Sequence, residues 1–321
     1  MLLTVNRLLE KAMPFITPVS VVAGVLLAHY IDGFVFLIPW IFAFITFTGS
    51  LGSNFTSLKR VVLNPLPTLI VLIVLHFLMP LWAFAMGHLV FPGDMFTITG
   101  LILGVIIPTG VTSLMWVSIY KGNTVLALTI VLLDTLLSPF IVPYSVGLFA
   151  GGKIEMDMWG MTKGLVGMIV IPSILAMLLN QATKGKIKGM LSPKLSPFSK
   201  ICLGLVVMLN SSKIAPYLSE INHRLIVMAA MVLLIASSGY VLSWFVGKLF
   251  KWDTETIITI TFTGGMRNIS AGSVIAVSYF PSAVAVPVIL GMLFQQILAS
   301  VFGYLLDRHY HKPTKSEAAA S

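Results

Sequence analysis

Ten predominantly apolar stretches follow one another along the chain, and they constrain its fold more than any other feature. A helix needs about 20 such residues to cross the hydrocarbon core of a bilayer, so each stretch predicts a transmembrane helix. The first, second and seventh are short. The ten segments are roughly Pro14–Tyr30, Phe34–Gly52, Leu66–His88, Phe96–Tyr120, Thr124–Gly151, Met158–Asn180, Phe198–Ser212, Leu225–Leu249, Thr256–Phe280 and Ala283–Leu306.

The composition excludes several classes of protein. Hydrophobic residues make up 57% of the 321 residues and charged residues only 10%, whereas soluble domains carry about 25% charged residues. An ordinary soluble enzyme, a disordered protein and a nucleic-acid-binding domain are therefore excluded. The sequence also contains no Walker-type phosphate loop, zinc-ligand cluster or Ser-His-Asp constellation, so we expect no enzymatic activity and no resident cofactor.

The positive charges are distributed unevenly over the predicted loops. With the N-terminus placed in the cytoplasm, 15 of the 20 Lys and Arg residues lie inside, four lie outside, and Arg267 lies within a span. Cytoplasmic loops of membrane proteins carry such an excess. The net charge of +9 thus indicates topology and no nucleic-acid partner. We expect a multi-pass cell-membrane protein with both termini cytoplasmic, in contact with the lipid bilayer; a monomer is one option for its oligomeric state.

The short loop 152–157 divides the ten segments into two sets of five. Because five is odd, the second set enters the membrane from the opposite side, which is the arrangement of an inverted-topology repeat. A bundle of ten unrelated helices is the alternative. We therefore expect an all-α membrane protein, one transporter domain over 1–321, with a first repeat at 1–151, a second repeat at 158–306, a basic cytoplasmic linker at 181–197 and a cytoplasmic tail at 307–321.

The fourth segment of each half carries a helix-breaking motif near its centre. Pro108 lacks the backbone donor that a helix needs, and the pair Gly264-Gly265 is a typical kink site. Paired interruptions at matching positions indicate the binding site of a transporter; the alternative is two kinks without a ligand. The motifs supply the candidate site residues Thr109, Thr112, Ser113, Thr263, Gly264, Gly265, Met266 and Asn268.

Three ionisable residues, Asp134, Arg267 and His76, lie near the middle of predicted spans. A charge at the bilayer centre costs about 2.5 to 3.5 kcal/mol or more, so we expect Asp134 and Arg267 to face each other or a shared wet cavity. Alternatively, the pair only locks the fifth and ninth helices together, and His76 is only a polar residue between helices. Because buried ion pairs are often replaceable by apolar residues, a functional role is favoured.

Five motifs resemble those of the bile acid/sodium symporter family, and the resemblance runs over most of the chain. It implies ten helices in two inverted repeats, with spans four and nine unwound and crossing at the centre. It also implies that a core domain of spans three to five and eight to ten moves against a panel domain of spans one, two, six and seven. The motifs are Phe47–Gly52, His76–Pro80, Pro108–Ser113, Thr135–Pro139 and Gly265–Asn268.

The chain departs from the two sodium sites that this resemblance implies, although Ser113 and Thr135 match expected ligands. Hard cations need oxygen ligands, and an arginine would repel sodium, so any sodium site is doubtful. We hypothesise that Arg267 supplies the charge of the missing cation. The departures are Leu114 for Asn, Val131 for Ser, Thr263 for Glu, Arg267 for Gln, and Leu75 or His76 for the Gln of the third helix.

Together these features predict a secondary transporter for a small organic anion, because the positive end of a broken helix and Arg267 both favour an anion. The resemblance suggests pantoate, a keto acid or a bile acid-like sterol anion. Coupling would use protons, through Asp134 or His76, or no ion at all. The alternatives are a sodium symporter with a site remodelled around Asp134 and a passive anion channel or facilitator. Asn210 and Ser211 are either further polar contacts or a helix end.

Overall fold

The computed structural model describes residues 2–53, 55, 65–150, 157–218 and 222–310, and within these ranges the regular structure is helical. The predicted loop 152–157, apart from its last residue, and most of the predicted tail 307–321 lie outside the described residues. The α-helices are α1 Leu2–Leu26, α2 Ala28–Ile31, α3 Ile38–Ser50, α4 Pro65–Ile73, α5 Met79–Val90, α6 Met95–Ile106, α7 Ser113–Ile119, α8 Thr124–Ala150, α9 Met158–Leu165, α10 Ile171–Ala182, α11 Lys186–Leu218, α12 His223–Leu249, α13 Thr254–Gly265, α14 Ile269–Tyr279 and α15 Ser282–Tyr310.

Short helical turns of other kinds join three pairs of these helices into longer rods. A 3₁₀ segment, Asp32–Leu37, joins α2 to α3, and π-helical segments join α4 to α5 and α9 to α10. In the described ranges, seven rods are long and apolar enough to cross a membrane, which makes this an all-helical membrane protein. They are Ala28–Ser50, Pro65–Val90, Thr124–Phe149, Met158–Ala182, Lys186–Leu218, His223–Leu249 and Ser282–Tyr310.

The two predicted helix interruptions are confirmed. Helix α6 ends at Ile106, and Ile107 is extended with φ −58° and ψ 151°, as expected for a residue that precedes a proline. Helix α13 ends at the Gly264-Gly265 pair, and α14 begins after Asn268, whose side chain accepts a hydrogen bond from the backbone N–H of Ala271. Each interruption is therefore produced by residues that cannot continue a helix or that start a new one.

Two groups of helices are densely packed within themselves. Helices α1, α3, α10 and α11 form one group, and α5, α6, α12, α13, α14 and α15 form the other. Helix α11 of the first group also contacts α14 and α15 of the second, so the groups meet along limited surfaces. Both interrupted helices, α6 to α7 and α13 to α14, therefore lie outside the group that contains α1 and α11.

The segment 181–197 differs from its prediction as a linker. Helix α11 begins at Lys186 and runs through Pro193 and Pro197 to Leu218, so most of this segment is helical. A proline inside a helix removes one backbone N–H donor, and its ring clashes with the preceding turn. A long helix tolerates this local loss where other contacts compensate for it. The same helix contains Asn210 and Ser211 in its interior, so the interpretation of these two residues as a helix end was wrong.

Candidate functional site

The two interruptions lie side by side and pair through their backbones. We call residues 107–112 and 266–268 the crossover. The N–H of Gly110 donates to the carbonyl of Met266 at 3.2 Å, and the N–H of Asn268 donates to the carbonyl of Pro108 at 2.7 Å. Thr109 and Arg267 lie opposite each other between these bonds, in an antiparallel bridge. The backbone groups that the broken helices leave free therefore satisfy one another, as buried backbone must.

Asp134 reaches the crossover from helix α8. Its side chain is fully buried, and it accepts hydrogen bonds from the backbone N–H of Thr109 at 2.6 Å and from Nε2 of His76 at 2.6 Å. An ionised carboxylate can only accept, so an ionised Asp134 requires the hydrogen of His76 on Nε2. Among the described residues, the titratable side chain within hydrogen-bond distance of the Asp134 carboxylate is His76. The expectation was that Asp134 and Arg267 face each other or a shared wet cavity; among the described residues the two side chains form no direct pair.

A π-helical turn, Val74–Leu78, carries His76. Pro80 has no N–H to donate to the carbonyl of His76, four residues back. The N–H of Met79 donates to the carbonyl of Val74, five residues back, and this bond makes the turn π-helical. Such π turns often occur at functional sites. Nδ1 of the same imidazole is buried and has no hydrogen-bond partner in the described part of the chain.

Arg267 is 5% exposed and binds two backbone carbonyls. Its Nε donates to the carbonyl of Val105 at 2.7 Å, and its Nη1 donates to the carbonyl of Gly264 at 2.8 Å. Val105 lies in the last turn of α6 and Gly264 in the last turn of α13. The carbonyl ends of helices carry partial negative charge, so the guanidinium neutralises two helix ends at once.

The crossing explains why these two carbonyls are available. In a continuous helix Thr109 would donate to Val105, but its N–H binds Asp134. Likewise Asn268 would donate to Gly264, but its N–H binds Pro108. Asp134 and Arg267 thus bind the separated donor and acceptor of one broken helical hydrogen bond. They share this turn instead of forming a direct pair.

A cavity of about 830 Å³ reaches the crossover and Arg267. The crossover side of its wall includes Thr112, Asn268 and Ser270, and Thr135 lies nearby on α8. The facing wall carries hydroxyl groups from α3, α10 and α11. These include Thr46, Thr48, Ser50, Ser173, Ser192 and Ser199.

Other predicted site residues do not line this cavity. Asp134, His76, Thr109 and Thr263 are absent from its wall, and the hydroxyl of Thr263 donates to the carbonyl of Thr259 at 2.9 Å. Ser113 is fully buried and its hydroxyl has no partner among the described residues. The remaining three act through the backbone or through close packing: Met266 accepts from Gly110, Gly264 packs against Ser243, and Gly265 packs against the Tyr240 ring.

Sequence reasoning missed the contribution of α15. Gln295 and Gln296 line the cavity, and Oε1 of Gln295 accepts the backbone N–H of Arg267 at 3.3 Å. Two adjacent amides inside an apolar segment are a signal that could have identified them. Asn210, predicted as one possible contact, donates to the hydroxyl of Ser273 at 2.7 Å, between α11 and α14.

The positions that the resemblance assigns to sodium offer few oxygen ligands. Leu114 and Val131 add only apolar side chains to the cavity wall, and Thr263 offers one neutral hydroxyl where the resemblance expects a carboxylate. In the described part of the chain, no group of three or more His, Cys, Asp or Glu residues forms a metal site. The donor set therefore fits a hard cation poorly.

Comparison with known proteins gives matches over most of the chain. The model of the sodium bile acid symporter family matches residues 39–221. The uncharacterized protein YbaS of Bacillus subtilis is 55% identical over 306 residues, which is 95% of this chain and 100% of that protein. The uncharacterized sodium-dependent transporter YocS of the same organism is 25% identical over 89% of this chain and 88% of its own. A rice protein named probable sodium/metabolite cotransporter BASS1, chloroplastic (Oryza sativa subsp. japonica), is 27% identical over 64% of this chain and 49% of its own.

Proposed function

The chain belongs to the sodium bile acid symporter family, and we propose that it carries a small organic anion across the membrane by alternating access. Membership makes the protein a multi-pass membrane transporter and not an enzyme. The observation that carries the finer proposal is the cavity of about 830 Å³ that reaches the crossover, where α14 begins. A cavity of this volume is within the usual range for a small-molecule site.

The start of α14 supports an anionic substrate. The first turn of a helix leaves backbone N–H groups without partners inside the helix, and its dipole favours negative charge. Ile269 and Ser270, in this first turn, line the cavity beside Asn268. A substrate carboxylate bound here would also accept hydrogen bonds from Thr112 or from the amide of Gln295.

The described helices support the proposed topology of ten spans. Besides the seven long rods, three shorter apolar helices are Phe15–Leu26, Met95–Ile106 and Ile269–Tyr279. The first overlaps most of the predicted first span, and the other two each overlap one half of the predicted fourth and ninth spans, whose other halves contain α7 and α13. The antiparallel pairing at the crossover, with one hydrogen bond on each side of Thr109 and Arg267, is what two inverted repeats at 1–151 and 158–306 would produce.

The two packed groups of helices support a core that moves against a panel. We propose that the group of α1, α3, α10 and α11 belongs to the panel and that the crossover helices belong to the core. The cavity lies between them and extends to Lys188 and Ser192, near the start of α11. With both termini in the cytoplasm, this end of the cavity faces the cytoplasm.

The coupling ion forms part of the same proposal. We propose that transport is coupled to protons through His76 and Asp134, or proceeds without a coupling ion, because the sodium positions offer few oxygen ligands. The alternative is sodium coupling at a site remodelled around Asp134, whose carboxylate already accepts two hydrogen bonds.

A binding screen tests the proposed substrate site. We expect a carboxylate among pantoate, a keto acid and cholate to raise the melting temperature of the purified wild type, but not that of Asn268→Ala. Asn222→Ala is the matched control, because Asn222 caps α12 in the same way, accepting from Leu225 at 2.9 Å, and does not line the cavity. Both changes remove one helix cap, which costs about 1 kcal/mol.

Two results would contradict the proposal: no carboxylate stabilises the wild type, or Asn268→Ala responds as strongly as Asn222→Ala does. Uptake into proteoliposomes then separates a carrier from a channel. A carrier saturates with substrate concentration, because each cycle moves only the bound substrate.

A further inference from the structure

The carbonyls that end α6 and α13 are the kind of group that binds a small cation in transporters with broken helices, where half-helix carbonyl ends coordinate sodium. In this chain both carbonyls, from Val105 and Gly264, already accept hydrogen bonds from Arg267. We propose that Arg267 is a tethered cation, which permanently occupies the place that a free monovalent ion would take between the two helix ends. For its consequence in transport, this inference rests on the function proposed above.

The geometry at Arg267 fits a cation site and not only a structural contact. The two bonds, 2.7 Å from Nε and 2.8 Å from Nη1, reach carbonyls on two different interrupted helices. Both carbonyls have lost their usual intrahelical donors to the crossing. Without Arg267 the two negative helix ends would lie together at membrane depth, with two carbonyls unpaired and buried. This combination is unfavourable unless a positive charge is present.

An arginine is suited to this place because its guanidinium is planar, stays charged and presents several donors in a fixed fork. It can therefore bind both carbonyls with one rigid group. A lysine would bring the same charge as a single point and would hold the two helix ends less firmly. A second cation could not bind between the same carbonyls, because the guanidinium fills the space and repels it.

The consequence is that the positive charge at the two helix ends is always present in the carrier. A carrier that needs a free ion at this place binds its anion well only when that ion is present. Here the helix ends are neutralised in every state that keeps the Arg267 contacts. Sodium should therefore neither stabilise the empty protein nor be required for the anion to bind.

The experiment compares melting temperatures of the purified protein without any carboxylate. Wild type and variants are measured in sodium, potassium or choline chloride at equal ionic strength, and with millimolar guanidinium chloride. We expect wild type to melt at the same temperature in sodium and choline. Arg267→Ala should melt lower, and sodium or guanidinium should raise its melting temperature by about 2 to 4 °C. Arg267→Lys should remain insensitive to sodium.

Arg224→Ala is the control, because it also removes an arginine contact at a helix end, an exposed ion pair with Asp94 at the start of α6, but lies away from the crossover. It should show no response to sodium or guanidinium. This rescue by a cation is a readout that a merely structural role of Arg267 would not produce.

Saturable stabilisation of wild type by sodium would overturn the inference, and so would a folded Arg267→Ala that responds to none of sodium, potassium and guanidinium relative to choline. If Arg267→Ala cannot be purified, binding of radioactive sodium to wild type by equilibrium dialysis decides: saturable binding overturns the inference and its absence supports it. Because no carboxylate is present, failure of the proposed transport function would leave all these readouts unchanged.

Discussion

At the scale of single residues, the crossover brings opposite charges to one broken helical turn. Asp134 accepts the N–H of Thr109, and Arg267 donates to the carbonyl of Val105. Each charge is thus placed where the backbone offers the complementary group. This arrangement places an acidic and a basic side chain inside a membrane protein without a direct contact between them, and His76 completes it through a hydrogen bond with the same carboxyl group.

The carboxylate should therefore be more important for stability than the imidazole that pairs with it. We expect Asp134→Asn to destabilise the protein by about 3 kcal/mol, because it leaves the partners of a buried carboxylate unpaired. His76→Gln should cost less, since an amide can still donate to Asp134. Thermal unfolding of both purified variants at one detergent concentration measures the difference. Equal melting temperatures for Asp134→Asn and wild type would contradict this interpretation.

The sequence identified the residues of this network but not its contacts. Asp134, Arg267 and His76 stood out because each is ionisable and lies near the centre of an apolar span. Their partners depend on which backbone groups the crossing leaves free, and that is a tertiary feature. The pairing of Asp134 with His76 further depends on the π turn at Val74–Leu78, which Pro80 favours locally but which does not by itself show that His76 meets α8.

At the scale of helices, breaks were predicted more reliably than continuations. Pro108 and the Gly264-Gly265 pair act through local backbone chemistry, so their effect is visible in the sequence. The segment 181–197 looked like a loop because it is polar and contains Gly, Ser and Pro, yet α11 runs through most of it. Composition alone could not reveal that tertiary contacts and the length of α11 compensate for its prolines.

Close packing of α6 against α15 gives a prediction with an internal control. Gly100 and Gly104 lie one turn apart on α6. An added Cβ at Gly100 would collide with the carbonyl oxygen of Val284, whereas at Gly104 it would meet nothing within 4 Å. We expect Gly100→Ala to destabilise the protein by about 1 to 3 kcal/mol. Gly104→Ala should be neutral or stabilising by up to about 1 kcal/mol, because alanine favours the helix.

The melting temperature of each purified variant and the amount of each protein in the membrane are measured. Since the two changes are chemically identical, any difference between them reports the local packing and not helix propensity. A Gly100→Ala variant as stable as Gly104→Ala would show that α6 and α15 can separate without cost, and would argue against a rigid core.

At the scale of the whole molecule, the chain keeps the architecture of a sodium-dependent family while its own donor set fits sodium poorly. The relative YocS is named a sodium-dependent transporter, and the crossover of the present chain places a guanidinium between its helix ends. A transporter gains energy only from ions whose binding differs between its two states. Under the proposed replacement of the ion by Arg267, sodium bound at this place would not supply that energy, and the driving force would come from another ion or from the substrate gradient alone.

Uptake into proteoliposomes under imposed gradients distinguishes these cases. We expect an inward sodium gradient to leave carboxylate uptake unchanged relative to potassium, because Arg267 already occupies the helix ends. An inward proton gradient should accelerate uptake several-fold, and Asp134→Asn should abolish that acceleration while facilitated exchange persists. Equal uptake under every gradient would instead identify transport without a coupling ion.

If sodium dependence is found and Asp134→Asn alone abolishes it, the carboxylate belongs to a remodelled sodium site. A strong sodium requirement that survives both Arg267→Ala and Asp134→Asn would place the sodium site away from the crossover, and the tethered charge could then not be a substitute for the ion.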